Sequence, residues 1–342
     1  MAADFRIPLS PFLSRRHRAR GRWQALRLVF PAVLLAIPAY AALRRADLRL
    51  GPEAPGRSPD RPATLAALVS ALRARCEAFR SSPGLRQAYD SFLADHRLEP
   101  GSISYSDFAV VRTLFEATRD AGFWNLHWSV TDQPPNSDRI WSQWTSIERP
   151  AVHRKTATAE CDELSALFAF LAARSGIKGV GLFWPYPNHT VAVWSVHPGN
   201  GPGIRVVIPT SQIFLSELDT FDTRKFDPWR QKTIYDYTRR DVPDGFELPG
   251  PLFDYFLSQL DKYGGASTAA LQQIRNLRDG VLAGSLAPER AAREALRLGS
   301  ASGWSPEDHA AFERFAGDLR SSAAASSPRP ARVDSPASAG AY

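Results

Sequence analysis

The stretch Ala159-Glu-Cys161-Asp-Glu-Leu-Ser-Ala-Leu-Phe-Ala-Phe-Leu-Ala-Ala-Arg-Ser-Gly176 is followed closely by Val180-Gly-Leu-Phe-Trp184 and His189-Thr-Val-Ala-Val-Trp-Ser-Val196. In the first, Leu164, Leu167, Phe168, Phe170 and Leu171 recur at helical spacing, which predicts a helix over 161–174 closed by Gly176. The next two segments alternate as strands do, and Pro185-Tyr-Pro-Asn188 between them is turn chemistry, so a hairpin is expected. His197-Pro-Gly-Asn-Gly-Pro-Gly203 makes a second turn, and Arg205-Val-Val-Ile208 a third strand. A helix followed by an antiparallel meander predicts an α+β fold.

Working outward, residues 63–80 place Leu65, Leu68, Val69, Leu72 and Cys76 at helical spacing, and 84–95 continue as a second helix. A stronger one begins at Asp107, with Phe108, Val111, Leu114, Phe115 and Thr118 on one side, and is expected to end at Gly122. Residues 123–150 are dense in aromatics, and seven of the nine tryptophans fall between Trp124 and Trp229. Such clustering marks a large-residue core or a substrate cleft, and core is the reading for most of them. Residues 211–263 read as loops and a helix, and 265–320 as short helices, one capped at Ser305-Pro-Glu-Asp308. From Ser321 the chain is rich in Ala, Ser and Pro, and a disordered tail is expected. The resulting division is a domain over 63–263, a helical region over 264–320 and a tail over 321–342.

The chain of 342 residues has a net charge of +7, but the charge is not spread evenly. Residues 1–45 hold nine arginines and one acid, Asp4, while the remaining 33 basic and 34 acidic residues nearly cancel. The body is neutral, so a basic groove for nucleic acid is not expected. After the arginines comes an uncharged stretch of sixteen residues, Leu28 to Leu43, and then a Pro-rich linker to residue 62. Basic residues stay on the cytoplasmic side, so the main domain is expected outside the cytoplasm, in the periplasm. Ala39-Tyr-Ala41 fits a signal-peptide cleavage site, which leads to a secreted product. The long leading segment favours an uncleaved anchor instead, although sixteen helical residues span only about 24 Å.

Cys161 stands at the first turn of its helix, where backbone N–H groups and the helix dipole favour a thiolate. His189 opens a strand of the next hairpin, and a helix start and a strand start can meet at one edge of a sheet. An imidazole there can take the thiol proton and return it to a leaving group, while amides near the sulfur hold an oxyanion. Carboxylates at Glu160, Asp162 and Glu163 oppose thiolate formation. Two bland readings stand beside this one: Cys161 is an inert buried thiol, or it pairs with Cys76, the only other cysteine.

The residues around Cys161, Asn188-His189-Thr-Val-Ala-Val-Trp194 and Val206-Val-Ile-Pro209-Thr210 together resemble the transglutaminase-like branch of the papain-like cysteine peptidases. The resemblance covers roughly residues 140–215. It implies a papain-like core and acyl transfer through a thioester, with Cys161 as nucleophile and His189 as base. It also implies an acid on the third strand, where this chain has Ile208. Gln212 or Thr210 is the substitute for that acid, and Gln212 is taken as the third site residue. Trp144 or Trp128 is a candidate indole donor to an oxyanion, with core packing the better reading for both. The implied partner is a peptide or protein substrate. His127 and His153 lack partners at metal spacing, no phosphate loop is present, and no cofactor or metal is expected. A catalytically inactive binding module of the same fold is the alternative, because the acid is missing.

Overall fold

The computed structural model describes residues 61–186, 189–198, 203–211 and 233–326. The basic N-terminus, the 28–43 stretch, the linker up to residue 60, parts of both expected turns, Gln212 and the chain beyond 326 lie outside them. Among the described residues no helix is long and apolar enough to cross a membrane.

The chain enters through a short strand, β1 (Ala63–Thr64), and turns at once into α1 (Leu65–Phe79). Thr64 caps that helix, its hydroxyl accepting from the Ala67 N–H at 3.2 Å. Leu65, Leu68, Leu72 and Cys76 form its buried stripe. Helix α2 (Pro83–Asp95) starts on a proline, which needs no N–H at that position. Helix α3 (Tyr105–Thr118) starts two residues before Asp107, because Ser104 is the cap and accepts from the Asp107 N–H at 3.2 Å. It ends at Thr118 and not at Gly122, since Arg119 already turns into extended backbone. Gly122 serves a different purpose: a Cβ there would lie 2.6 Å from the Glu116 carbonyl oxygen, so only glycine lets the chain fold back this tightly. Every residue of α3 from Phe108 to Thr118 is buried, so this helix runs through the middle of the molecule.

Beyond it, β2 (Leu126–Trp128) pairs in parallel with β3 (Ala157–Ala159), and α4 (Asp138–Thr145) lies between them in sequence. The aromatic density of this region is mostly core. Trp124, Trp141 and Trp144 are buried, and Trp124 stacks on Phe256 at 4.4 Å while Trp141 meets Trp144 edge-on at 4.9 Å.

Helix α5 (Cys161–Arg174) follows β3 directly and packs on the meander β4 (Val180–Tyr186), β5 (His189–Val196) and β6 (Ile204–Ile208). The expected helix bounds hold, and Gly176 takes the left-handed φ of +88° that ends the helix. β4 pairs antiparallel with β5, and β5 with β6, so the hairpin and the third strand form as the sequence implies. A register shift between Phe183 and Tyr186 accommodates Pro185 in β4. A short β7 (Tyr235–Asp236) completes the sheet in the order β6-β5-β4-β7.

After β8 (Glu247–Leu248), which pairs with β1, come four helices: α6 (Gly250–Tyr263), α7 (Thr268–Leu282), α8 (Pro288–Gly299) and α9 (Pro306–Ser326). Ser305 caps the last, accepting from the Asp308 N–H at 3.1 Å. That helix runs five residues past Ser321, where a disordered tail was expected to begin, because Ala and Ser there continue the helix once Phe312, Phe315 and Leu319 anchor it. The whole is a mixed α+β arrangement with small sheets.

Candidate functional site

Cys161 is the first residue of α5, half-buried, with Glu160 as the N-cap. Glu163 reaches back from the first turn, its Oε2 accepting from the Glu160 N–H at 2.8 Å. Asp162 Oδ1 accepts from the Glu163 N–H at 2.8 Å. The segment after β2 runs beside this turn: Thr131 Oγ1 donates to Glu163 Oε2 at 2.5 Å, and the Asp132 N–H donates to Glu160 Oε2 at 2.9 Å. The three carboxylates thus lie within 4.8 Å of one another. Their crowding is a helix cap with a loop tied to it, and the hydrogen bonds above account for it.

Ser165, one turn along, fastens the helix start to the sheet. Its hydroxyl lies 2.6 Å from the Cys161 carbonyl oxygen, 3.3 Å from the Thr190 carbonyl oxygen and 2.7 Å from Thr210 Oγ1. The Thr190 backbone N–H is close enough to the Cys161 sulfur to favour its ionised form. Thr190 is bonded to His189, so the sulfur lies near the peptide that joins them. The predicted cysteine and histidine are therefore brought to the same end of the sheet. By strand alternation His189 shares the face of Val191 and Val193, while Thr190 and Ala192 face α5. The backbone of the first residues of β5, and not the His189 ring, is what the structure places beside the sulfur.

Electrostatics keep both groups neutral. Burial pushes the Cys161 thiol above its usual range, and the charges of Asp162 and Glu160 add to that, against the Thr190 and Asp162 N–H groups. Burial pushes the His189 imidazole down to about 4. Asp162 is itself pushed up to about 6, by burial first and then by Glu160 and Glu163. At neutral pH the pair is a thiol and a neutral imidazole, not a thiolate and an imidazolium.

The register of β5 and β6 places the residue at position 208. Ala192 pairs with Ile208, so Ile208 faces the main core and is buried there. It is three residues out of step with His189. Strand β6 ends at Ile208, where the Thr210 N–H turns back to the Ile208 carbonyl at 3.0 Å, and Thr210 is tied to the start of β5 through Ser165. Ser211 is buried, and among the described residues its hydroxyl has no hydrogen-bond partner. Gln212 lies outside the described residues. The run Val206-Val-Ile-Pro209 is apolar throughout and gives no alternation from which to set the register.

The remaining candidates separate cleanly. Trp144 is fully enclosed by Trp124, Trp141 and Phe256 and is core. Trp128 is 36% exposed and sits opposite Ala159, two residues before Cys161, with exposed Val130 next to it. Its backbone is held by Asp120, which accepts from the Trp128 N–H at 2.8 Å and whose own N–H donates to the Thr210 carbonyl at 2.7 Å. Both cysteines are free thiols, which removes the Cys76–Cys161 disulfide. Cys76 lies in the core of α1 beside Thr113 of α3, and burial pushes its thiol up to about 12. Burial also holds His127 down, to about 3. A groove of about 440 Å³ lined by Leu65, Val69, Arg73, Arg174 and Asp244 opens by Arg174, at the other end of α5 from Cys161.

No protein-family model matches the chain, and neither a curated protein nor a solved structure matches it.

Proposed function

We propose that the chain is a transglutaminase-like cysteine hydrolase or acyltransferase acting on peptide or amide bonds through a thioester. Cys161 is the nucleophile and His189 the base. The observation that supports this is the seating of the Cys161 sulfur at the N-terminus of α5 against the peptide that joins His189 to Thr190. In this reading the neutral imidazole takes the thiol proton as sulfur attacks the carbonyl carbon. The resulting oxyanion is met by N–H groups of the helix start, and collapse to the thioester sends the same proton to the leaving amine. Water or an acceptor amine then cleaves the thioester. Trp128 and Val130 are exposed in the segment that runs beside the start of α5 and suit an apolar substrate side chain. The arginine-rich N-terminus before the uncharged 28–43 stretch supports an exported or membrane-tethered enzyme with its substrate outside the cytoplasm.

A neutral pair makes a specific expectation for thiol reactivity. Alkylation of Cys161 by iodoacetamide should rise steadily with pH past 9, without a plateau near neutrality. His189→Ala should slow it at least about tenfold at pH 7, because the proton acceptor is gone. Site-resolved mass spectrometry of the alkylated chain measures both. An unchanged rate in His189→Ala would leave the second reading, a binding module of the same fold, which the raised thiol and lowered imidazole favour.

A further inference from the structure

We infer that the groove by Arg174 binds a small carboxylic acid that carries an apolar group. Arg174 closes α5 and Cys161 opens it, so the two ends stand about 20 Å apart by helix rise, and this site is independent of the cysteine reading. The groove measures about 440 Å³, a size typical of small-molecule sites. Leu65, Val69 and Arg73 line it from α1 at intervals of four residues, so an apolar strip along one side of that helix runs into a guanidinium group. Ser70, Arg174 and Asp244 supply the other polar groups.

The charges in the groove do not balance. Arg174 Nη1 lies 2.6 Å from Asp244 Oδ1, and its guanidinium sits 5.3 Å over the Phe170 ring, so the group is held in one place. Arg174 Nη2 is shut off from water and has no hydrogen-bond partner among the described residues. Asp244 is shared, since Arg240 Nη1 stands 3.5 Å from its other oxygen. Arg73 is exposed and makes no ion pair or hydrogen bond among the described residues. Three guanidinium groups thus share one carboxylate. A purely structural role explains part of this: a cation suits the C-terminus of α5, and Asp244 occupies Nη1. It leaves Nη2 without an acceptor and Arg73 without an acid, and an unmet buried donor is costly. A ligand carboxylate supplies the missing acceptor and the missing charge, and an apolar group beside it covers Leu65 and Val69.

The test titrates the full chain, held in lipid nanodiscs, against fluorophenylacetate and reads fluorine NMR line broadening, with empty nanodiscs as the blank. Saturable broadening is expected with the acid and not with fluorobenzyl alcohol, which keeps the ring and loses the charge. Acetate, which keeps the charge and loses the ring, should compete at least about tenfold more weakly than phenylacetate. Arg73→Gln changes a side chain that holds nothing in the fold, and it should weaken binding about three- to tenfold. Arg174→Gln should weaken it at least about tenfold, and Val69→Trp, which fills the groove, should abolish it. Should the melting temperature show that Arg174→Gln fails to fold, Arg174→Lys takes its place: it keeps a cation beside Asp244 but loses the fork, and a loss of binding is still expected. No saturable broadening in wild type, equal binding of acid and alcohol, equal competition by acetate, or an affinity unchanged in both arginine variants would each overturn the assignment.

Discussion

Asp162 is the least comfortable group near the sulfur. Its carboxyl is partly withdrawn from water and crowded by Glu160 and Glu163, and its pKa rises to about 6. A carboxyl whose folded pKa lies above its unfolded value destabilises the fold once it ionises. The penalty is complete above about pH 6 and relieved as pH falls toward the unfolded value near 3.8. Its hydrogen bond to the Glu163 N–H needs only an oxygen, which an amide supplies. Asp162→Asn should therefore raise stability at pH 7 by about 1–2 kcal/mol after allowance for solvent screening. The gain should vanish near pH 4. The same change removes a charge that holds the Cys161 thiol up, so alkylation at pH 8 should quicken. Urea melts at the two pH values and the alkylation rate check the pair of effects; a less stable, slower variant would contradict both.

Helix α5 and its meander were readable because each has a clean period. Leu164, Leu167, Phe168 and Leu171 repeat as a helix does, and the strands are bounded by Pro and Gly turns. The parallel β2–β3 pair was not readable: each strand is three residues long, too short to show a period, and they meet across α4. The start of α3 was misjudged by two residues because Ser104, not Asp107, is the cap. Nor does the sequence set the β5–β6 register, so with Ile208 in the acid's place the candidates for the third residue are Gln212 or Thr210. What ties the ends of these elements together locally is Ser165, which bridges Cys161, Thr190 and Thr210. Ser165→Ala keeps the helix and improves its propensity slightly, yet it removes three contacts and leaves the Thr210 hydroxyl without its bond to Ser165. A net loss of about 1–2 kcal/mol is expected. Hydrogen exchange should speed at the Thr190 and Asp162 amides more than in the middle of α5. A uniform change along the helix would show that Ser165 does not bolt these elements together.

The helices after β8 are joined to the rest by more than apolar contact. Glu116, on the central helix α3, is buried between Arg112 at 2.7 Å on its own helix and Arg275 at 2.7 Å from α7, with Arg119 at 4.0 Å. Burial alone would raise its carboxyl, but Arg112, Arg275 and Arg119 outweigh that and hold it below the usual range. Arg112 also donates to the Thr268 hydroxyl at the start of α7, and Arg278 of the same helix donates to the Ala121 carbonyl just past α3. One buried carboxylate therefore sits among several buried guanidinium groups that connect sequence positions more than 150 apart. A buried ion pair adds little net stability while intact, but removing one partner strands the opposite charge in a poor solvent. Glu116→Gln is nearly the same size and removes only the charge. It should cost about 3–5 kcal/mol, while Thr113→Ser on the same helix, which keeps its hydroxyl, should cost far less. Because the network spans both sides of the molecule, Glu116→Gln should lower one common transition rather than release α6 to α9 as a separate melting unit. Calorimetry of the two variants reads this directly. A second, earlier transition in Glu116→Gln would mean that the C-terminal helices fold on their own and that the charge network only docks them.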